Sequence, residues 1–182
     1  MIKIEFEGYD KLVKNFGYKL VERANGAAIR NTLAKTRTQI KKFVREDYTI
    51  KAGTVQSQSY IKRLSLSPPA YELGYTGNRL SMERFALGSR SIGRGKKKRR
   101  AITVRITKKR KVVKGGFAIR GYAAFRRKGR SRLPIEKRTT LAMPQMVNTK
   151  KNTRRTFKFM GDELPIQFAR AMDYQLIRAG FR

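Results

Sequence analysis

Tyr18-Lys-Leu-Val-Glu-Arg-Ala-Asn-Gly-Ala-Ala-Ile-Arg-Asn-Thr-Leu-Ala-Lys-Thr-Arg-Thr-Gln-Ile-Lys-Lys-Phe-Val-Arg-Glu-Asp47 is the stretch that decides the fold class. Ile29, Leu33, Thr36, Ile40, Phe43 and Val44 recur at intervals of three and four, the spacing that places side chains on one face of an α-helix. Ala24, Ala27 and Ala28 continue that side with small residues, so another element can approach closely there. Arg30, Lys35, Arg37, Lys41, Lys42 and Arg45 occupy the other faces, as on a solvated surface. Unbroken from Tyr18 to Asp47, the helix would be about 45 Å long at 1.5 Å per residue, the spine of a 182-residue chain. Upstream, Leu12, Val13 and Phe16 form a shorter stripe behind Asp10, which can cap it. Gly17 and Gly26 are weak points, each costing about 1 kcal/mol against Ala.

Outward from this helix the pattern turns to alternation. Ile2, Ile4 and Phe6 share one face and Lys3, Glu5 and Glu7 the other, a half-buried strand. Tyr48–Val55 reads as a connector into one helical turn. Tyr60–Leu64 and Ala70–Tyr75 are strands separated at Pro68-Pro69, where regular structure must stop. Leu80–Leu87 fits either a helical turn or an extended crossing that buries Leu80, Phe85 and Leu87. Ile102, Val104 and Ile106 face one way and Thr103, Arg105 and Thr107 the other. Lys108–Lys111 then serves as a hairpin tip, and Val112-Val113, Phe117–Ile119 and Tyr122–Phe125 complete an antiparallel meander that bends at Gly115-Gly116. A last helix starts at Gly161 or Asp162 with Pro165 in its first turn. It buries Phe168, Ala169, Met172, Leu176 and Ile177, and stops at Gly180. The expectation is an α+β fold in which an antiparallel sheet packs with a long N-terminal helix and a C-terminal helix. It forms a single domain over residues 1–182 with a mobile basic loop at 89–101.

Composition narrows function. The chain carries 45 Lys+Arg against 12 Asp+Glu, a formal charge of +33. That many like charges destabilise an isolated compact body, so a polyanion or an acidic neighbour is expected to neutralise them. At 40% hydrophobic content the chain is not a disordered basic tail. There is no Cys, His or Trp. Disulfides and thiol-ligated zinc are excluded, and so is the commonest general base. The carboxylates, Glu5 with Glu7, Glu46 with Asp47 and Asp162 with Glu163, suit strand solvation and helix ends better than two-metal chemistry. Gly93-Arg-Gly95 and Gly115-Gly116 lack the context of a phosphate-cradling loop. No catalytic set, metal or cofactor is expected. No apolar run is long enough to span a bilayer, and the N-terminal alternation lacks the apolar core of a signal peptide.

Charge concentrates downstream of Ser89. Residues Arg90 to Arg138 hold 21 Lys or Arg against one acid, Glu136. The loop Arg94, Lys96, Lys97, Lys98, Arg99, Arg100 and the turn Lys108, Lys109, Arg110, Lys111 are the candidates for contact with DNA or with an acidic protein surface. The same electrostatics serves both partners. No helix-turn-helix, finger or ribbon signature accompanies them, so any nucleic-acid contact is expected to be nonspecific.

Phe125-Arg-Arg-Lys-Gly-Arg-Ser-Arg-Leu-Pro-Ile-Glu136, followed by Met143-Pro-Gln-Met146, resembles the minor tail protein Z family of long-tailed phages and prophages. Glu46-Asp-Tyr-Thr-Ile-Lys51, Leu80-Ser-Met-Glu-Arg-Phe85 and Gly115-Gly-Phe-Ala-Ile119 look similar in the same order. Where that family has Leu-x-Gly-Pro-Ser before the Pro-x-Met element, this chain has Arg138-Thr-Thr-Leu-Ala142. The resemblance implies a structural virion protein, not an enzyme. It would complete the tail at its head-proximal end, as a ring of six copies beside tail terminator, tail tube or neck proteins, assembled in the host cytoplasm. Arg126, Arg127, Lys128, Arg130 and Arg132 are then expected to order a loop at a subunit interface. Leu133, Pro134 and Ile135 would be its apolar anchor, with Pro144 and Met146 alongside. The alternative that charge suits equally is a free nucleic-acid-binding protein, ribosomal or nucleoid-like.

Overall fold

The structure, a computed structural model, describes residues 9–92, 99–119 and 124–181. It is mixed α+β. Helices α1 (Tyr9–Phe16), α2 (Tyr18–Asp47) and α3 (Ala52–Ser57) lead into strands β1 (Ser59–Ser65), β2 (Ala70–Tyr75) and β3 (Arg79–Ser81). After a 3-10 turn at Met82–Arg84 come β4 (Ala86–Ile92), β5 (Arg99–Arg105), β6 (Arg110–Val112), β7 (Gly116–Ala118), β8 (Ala124–Arg127), β9 (Ile135–Lys137) and β10 (Thr139–Ala142). Helices α4 (Met143–Val147) and α5 (Lys150–Arg178) close the chain. The expected strand Ile2–Glu7 lies outside the described residues. Contacts divide the chain into two compact units. One takes in residues up to Thr38, 61–74 and from 155 onward; the other takes in 39–60 and 75–154.

Helix α2 has the bounds its periodicity predicts, and its residues up to Thr38 belong to the first unit. Gly17 separates it from α1 at φ +79°, a left-handed conformation that residues with a Cβ rarely adopt. Val21, Ala24 and Ala28 of α2 are buried with Leu164, Ala171 and Met172 of α5, and Leu12, Val13, Phe16, Ile29 and Phe168 pack around them. The small residues admit the close approach expected of them. Gly26 faces Pro69, whose Cβ would lie 3.3 Å from an added Cβ. Pro68-Pro69 closes the turn between β1 and β2. Across the unit, the Lys35 Nζ donates to Glu163 Oε1 at 2.5 Å and the Gln167 Nε2 donates to the same oxygen at 2.6 Å.

The last helix departs from expectation. It starts at Lys150, where the Thr149 hydroxyl accepts the Asn152 N–H at 3.3 Å as an N-cap does. Gly161 and Pro165 therefore lie in its interior, not at its start. Pro165 leaves the Gly161 carbonyl without its helical donor. Burial of Leu164, Gln167, Ala171 and Met172 on the same stretch outweighs that local cost. The buried stripe is accordingly these four residues with half-buried Phe168 and Leu176, whereas Ala169 and Ile177 are exposed. Gly180, at φ +81°, ends the helix in a Schellman motif: its N–H reaches Ile177 O at 3.1 Å and the Phe181 N–H reaches Leu176 O at 3.0 Å.

The second unit replaces the single expected meander by separate antiparallel sheets, β4-β5-β6, β7-β8-β9 and the pair β3-β10. Leu80–Leu87 combines both readings of the sequence. It is strand, then a 3-10 turn, then strand, and it buries Leu80, Met82 and Phe85. Ile50 bridges Phe85, and the Thr49 N–H donates to Ile106 O at 2.9 Å. Ile40, Val44, Val55, Ala101, Ile102, Val104, Val113, Ala124, Ala142, Met143, Met146 and Val147 are also buried in this unit. Thr103, expected on the solvent side of its strand, is buried as well.

Candidate polyanion-binding surface

The β4–β5 ladder sets the geometry of the basic region. It runs from Ala86 opposite Arg105 to Ile92 opposite Arg99, with Ser89 opposite Ile102, Arg90 opposite Ala101 and Ser91 opposite Arg100. The expected mobile loop 89–101 is therefore corrected at both ends: Ser89–Ile92 and Arg99–Ala101 are strand. Backbone pairing started by Leu87, Ile102 and Val104 continues through the polar Ser89–Ser91 to Ile92, because each ladder step satisfies its own N–H and C=O groups. Arg94, Lys96, Lys97 and Lys98 lie outside the described residues. Arg99 is placed in β5, and the Arg100 side chain is exposed.

The second basic turn is tighter than predicted. Arg105 opposes Arg110, Val104 opposes Lys111 and Thr103 opposes Val112. Residues Ile106–Lys109 make the tip, so Lys108 and Lys109 sit on it while Arg110 and Lys111 belong to β6; all four are exposed.

The third basic element is the β8–β9 hairpin, with Phe125 opposite Lys137, Arg126 opposite Glu136 and Arg127 opposite Ile135. The Lys128 N–H donates to Pro134 O at 3.1 Å and closes the tip. Phe117 stacks on Phe125 at 6.3 Å between centroids, and the Arg127 guanidinium lies 5.9 Å over the Phe117 ring. This holds the root of the hairpin by cation–π contact. Arg126, Arg127, Lys128, Arg130 and Arg132 are exposed, and Lys128 Nζ comes no nearer than 4.0 Å to Glu136. Leu133 is 67% exposed at the tip, Pro134 is exposed, and Ile135 is half-buried. The hairpin thus presents an apolar side chain inside a cationic rim.

Met146 differs from the interface role assigned to it. It is 0% exposed on α4, with Met143, and its carbonyl accepts the Asn152 Nδ2 at 3.1 Å. Its side chain fills its own unit and is not offered to a neighbour. Pro144 is half-buried in the first turn of α4, where a missing N–H costs nothing.

The electrostatics is one-sided. Among the described residues the ion pairs are Lys35–Glu163, Lys128–Glu136, Lys137–Glu83 and Lys151–Asp47. None of them involves β4, β5 or β6. Sequence reasoning passed over Arg90 and Arg105 as contact residues. The alternation of Arg105 with Ala101 and Thr103 along β5 was the available signal for Arg105, and only the strand register brings Arg90 onto one face with Arg105 and Arg110. Among the described residues no group of His, Cys, Asp or Glu is arranged to hold a metal ion, and no helix is long and apolar enough to cross a membrane. No protein-family model, curated protein or solved structure matches the chain.

Proposed function

We propose that the chain is a structural protein of a tailed-phage virion, a tail-completion or neck component at the head-proximal end of the tail. There it readies the tail for joining the filled head, without catalysis, and meets the DNA end through its basic hairpins. The observation that carries this reading is the pairing of two features on β8–β9: a rim of arginines with few acids to balance them, and Leu133 standing exposed within it. A cationic rim around an apolar tip suits docking between protein subunits, where a desolvated centre supplies affinity and the charged edge supplies orientation. The Arg-Lys-Gly-x-Ser-x-Leu-Pro-Ile resemblance falls on this same hairpin. A ring of six copies against terminator, tube or neck proteins follows from that resemblance.

The second reading, a free nucleic-acid-binding protein, is favoured by the cations of β4–β6, which form no ion pair among the described residues, but leaves Leu133 without a role. Deleting the gene from an inducible prophage separates the two. The proposed role predicts lysates with filled heads and tails that have not joined, restored by the gene in trans. Normal virions and full titre from the deletion would overturn it.

A further inference from the structure

One face of the β4–β5–β6 sheet has a chemistry that hairpin tips do not account for. In an antiparallel sheet directly opposed residues share a face. The register therefore gathers Ala86, Gly88 and Arg90 of β4 with Ala101, Thr103 and Arg105 of β5 and Arg110 and Val112 of β6. The opposite face holds Leu87, Ile102 and Val104 together with Ser89, Ser91, Arg100 and Lys111. Arg90, Arg105 and Arg110 are exposed on a floor of small residues, and none of them has an ion pair among the described residues.

Three observations point to an anion as the ligand of this face. Arg105 stands directly opposite Arg110, a like-charge pair that destabilises a bare sheet. Thr103 is 2% exposed, and its buried Oγ1 has no hydrogen-bond partner among the described residues. An added Cβ on Gly88 would collide with Nη1 of Arg110 and lie 3.3 Å from that same Oγ1. The guanidinium therefore rests against a glycine beside an unused hydroxyl. A phosphate oxygen accepts from both groups, and the guanidinium fork matches it in two bonds. Arg90 opposes Ala101, four positions along β5 from Arg105, which places their backbones roughly 13–14 Å apart. That spread suits a polymer of phosphates better than one free ion.

We propose that this sheet face binds the phosphodiester backbone of nucleic acid, with Arg105 and Arg110 engaging one phosphate region, Arg90 a phosphate further along, and the Thr103 hydroxyl donating to one of them. The inference rests on the DNA-contact part of the function proposed above, and the test separates the two. Full-length protein is titrated with a fluorescein-labelled 20-base-pair duplex by anisotropy across a sodium chloride series. A variant with Arg90, Arg105 and Arg110 changed to Gln is compared with a charge-matched control carrying Lys11→Gln, Lys14→Gln and Arg30→Gln. The sheet-face variant should flatten the plot of log affinity against log salt by about 2–3, at about 0.9 per phosphate contact, with its melting temperature held or raised by loss of the Arg105–Arg110 repulsion. The control should keep the wild-type slope. Thr103→Val, of the same shape, should weaken binding several-fold without lowering the melting temperature.

Equal slopes for sheet-face variant and control, with steep wild-type binding lost on Lys108→Gln/Lys109→Gln, would overturn this site and leave DNA contact standing. Wild-type association that ignores salt would overturn DNA contact itself. Displacement of the duplex by polyglutamate as effectively as by unlabelled DNA would overturn the phosphate assignment in favour of an acidic protein surface.

Discussion

Met146→Ala distinguishes a core residue from an interface residue at the position where sequence and structure disagree. Met146 is fully buried on α4 with Met143. The substitution removes three heavy atoms from a closed environment, so the loss is the transfer term plus the cavity left behind, about 2–5 kcal/mol. In a chain of this length each kcal/mol moves the melting temperature by about 2–4 °C, which predicts a fall of roughly 4–20 °C. The chain has two compact units, so the assay is differential scanning calorimetry, which resolves whether one transition moves and the other stays. Met146→Leu, close to volume-conserving, should cost less than about 1.5 kcal/mol and retain most of the melting temperature. A Met146→Ala protein that melts with the wild type but fails to assemble into virions would refute the reasoning, since that is the behaviour of an interface side chain.

Leu133→Ser should do the reverse: exposed at its hairpin tip, it should change stability by no more than about 0.5 kcal/mol while incorporation into virions falls, and unchanged virion yield would remove its docking role. Pro165→Ala restores a donor for the Gly161 carbonyl in the interior of α5 and should raise stability by about 2 kcal/mol in the same calorimetric assay; a neutral or lower melting temperature would show that the helix needs the proline there. The hydrogen bond from the Lys35 ammonium holds the Glu163 carboxyl below the usual carboxylate range despite an opposing push from burial, with the Gln167 amide and the charges of Lys35 and Arg170 adding to the lowering. A group depressed in the folded state contributes stability above its unfolded value, about pH 4.3, and loses it as pH falls through the folded value. Glu163→Gln should therefore flatten the acid limb of melting temperature against pH, and an unchanged limb would rule the contact out as its source.

The helix α2 was legible to its ends because one apolar face repeats over its second half and small residues continue it. Strands β1 and β2 were legible within a residue or two, since Pro68-Pro69 marks their turn from both sides. The first turns of α5 were not. Lys150–Met160 carries no clean apolar period, and Gly161 with Pro165 imitates a helix start, so local signals pointed eleven residues downstream of the true one. Thr103 alternates like a solvent-facing residue, and its burial depends on strands whose partners a single sequence does not reveal. Residues 89–92 and 99–101 read as loop because serines and arginines carry no packing signal, whereas ladder pairing needs none. Met143-Pro-Gln-Met146 showed that apolar contact was required there without showing which surface would supply it.

The most direct measurement takes virions induced from a host that carries the gene, releases their DNA, purifies the tails and asks by quantitative mass spectrometry whether this chain stays with them. The account predicts that it remains on DNA-free tails at a fixed copy number relative to the tube protein, held by protein contacts. Loss of the chain along with the DNA, or its absence from virions, would contradict the structural role and leave nucleic-acid binding as its function.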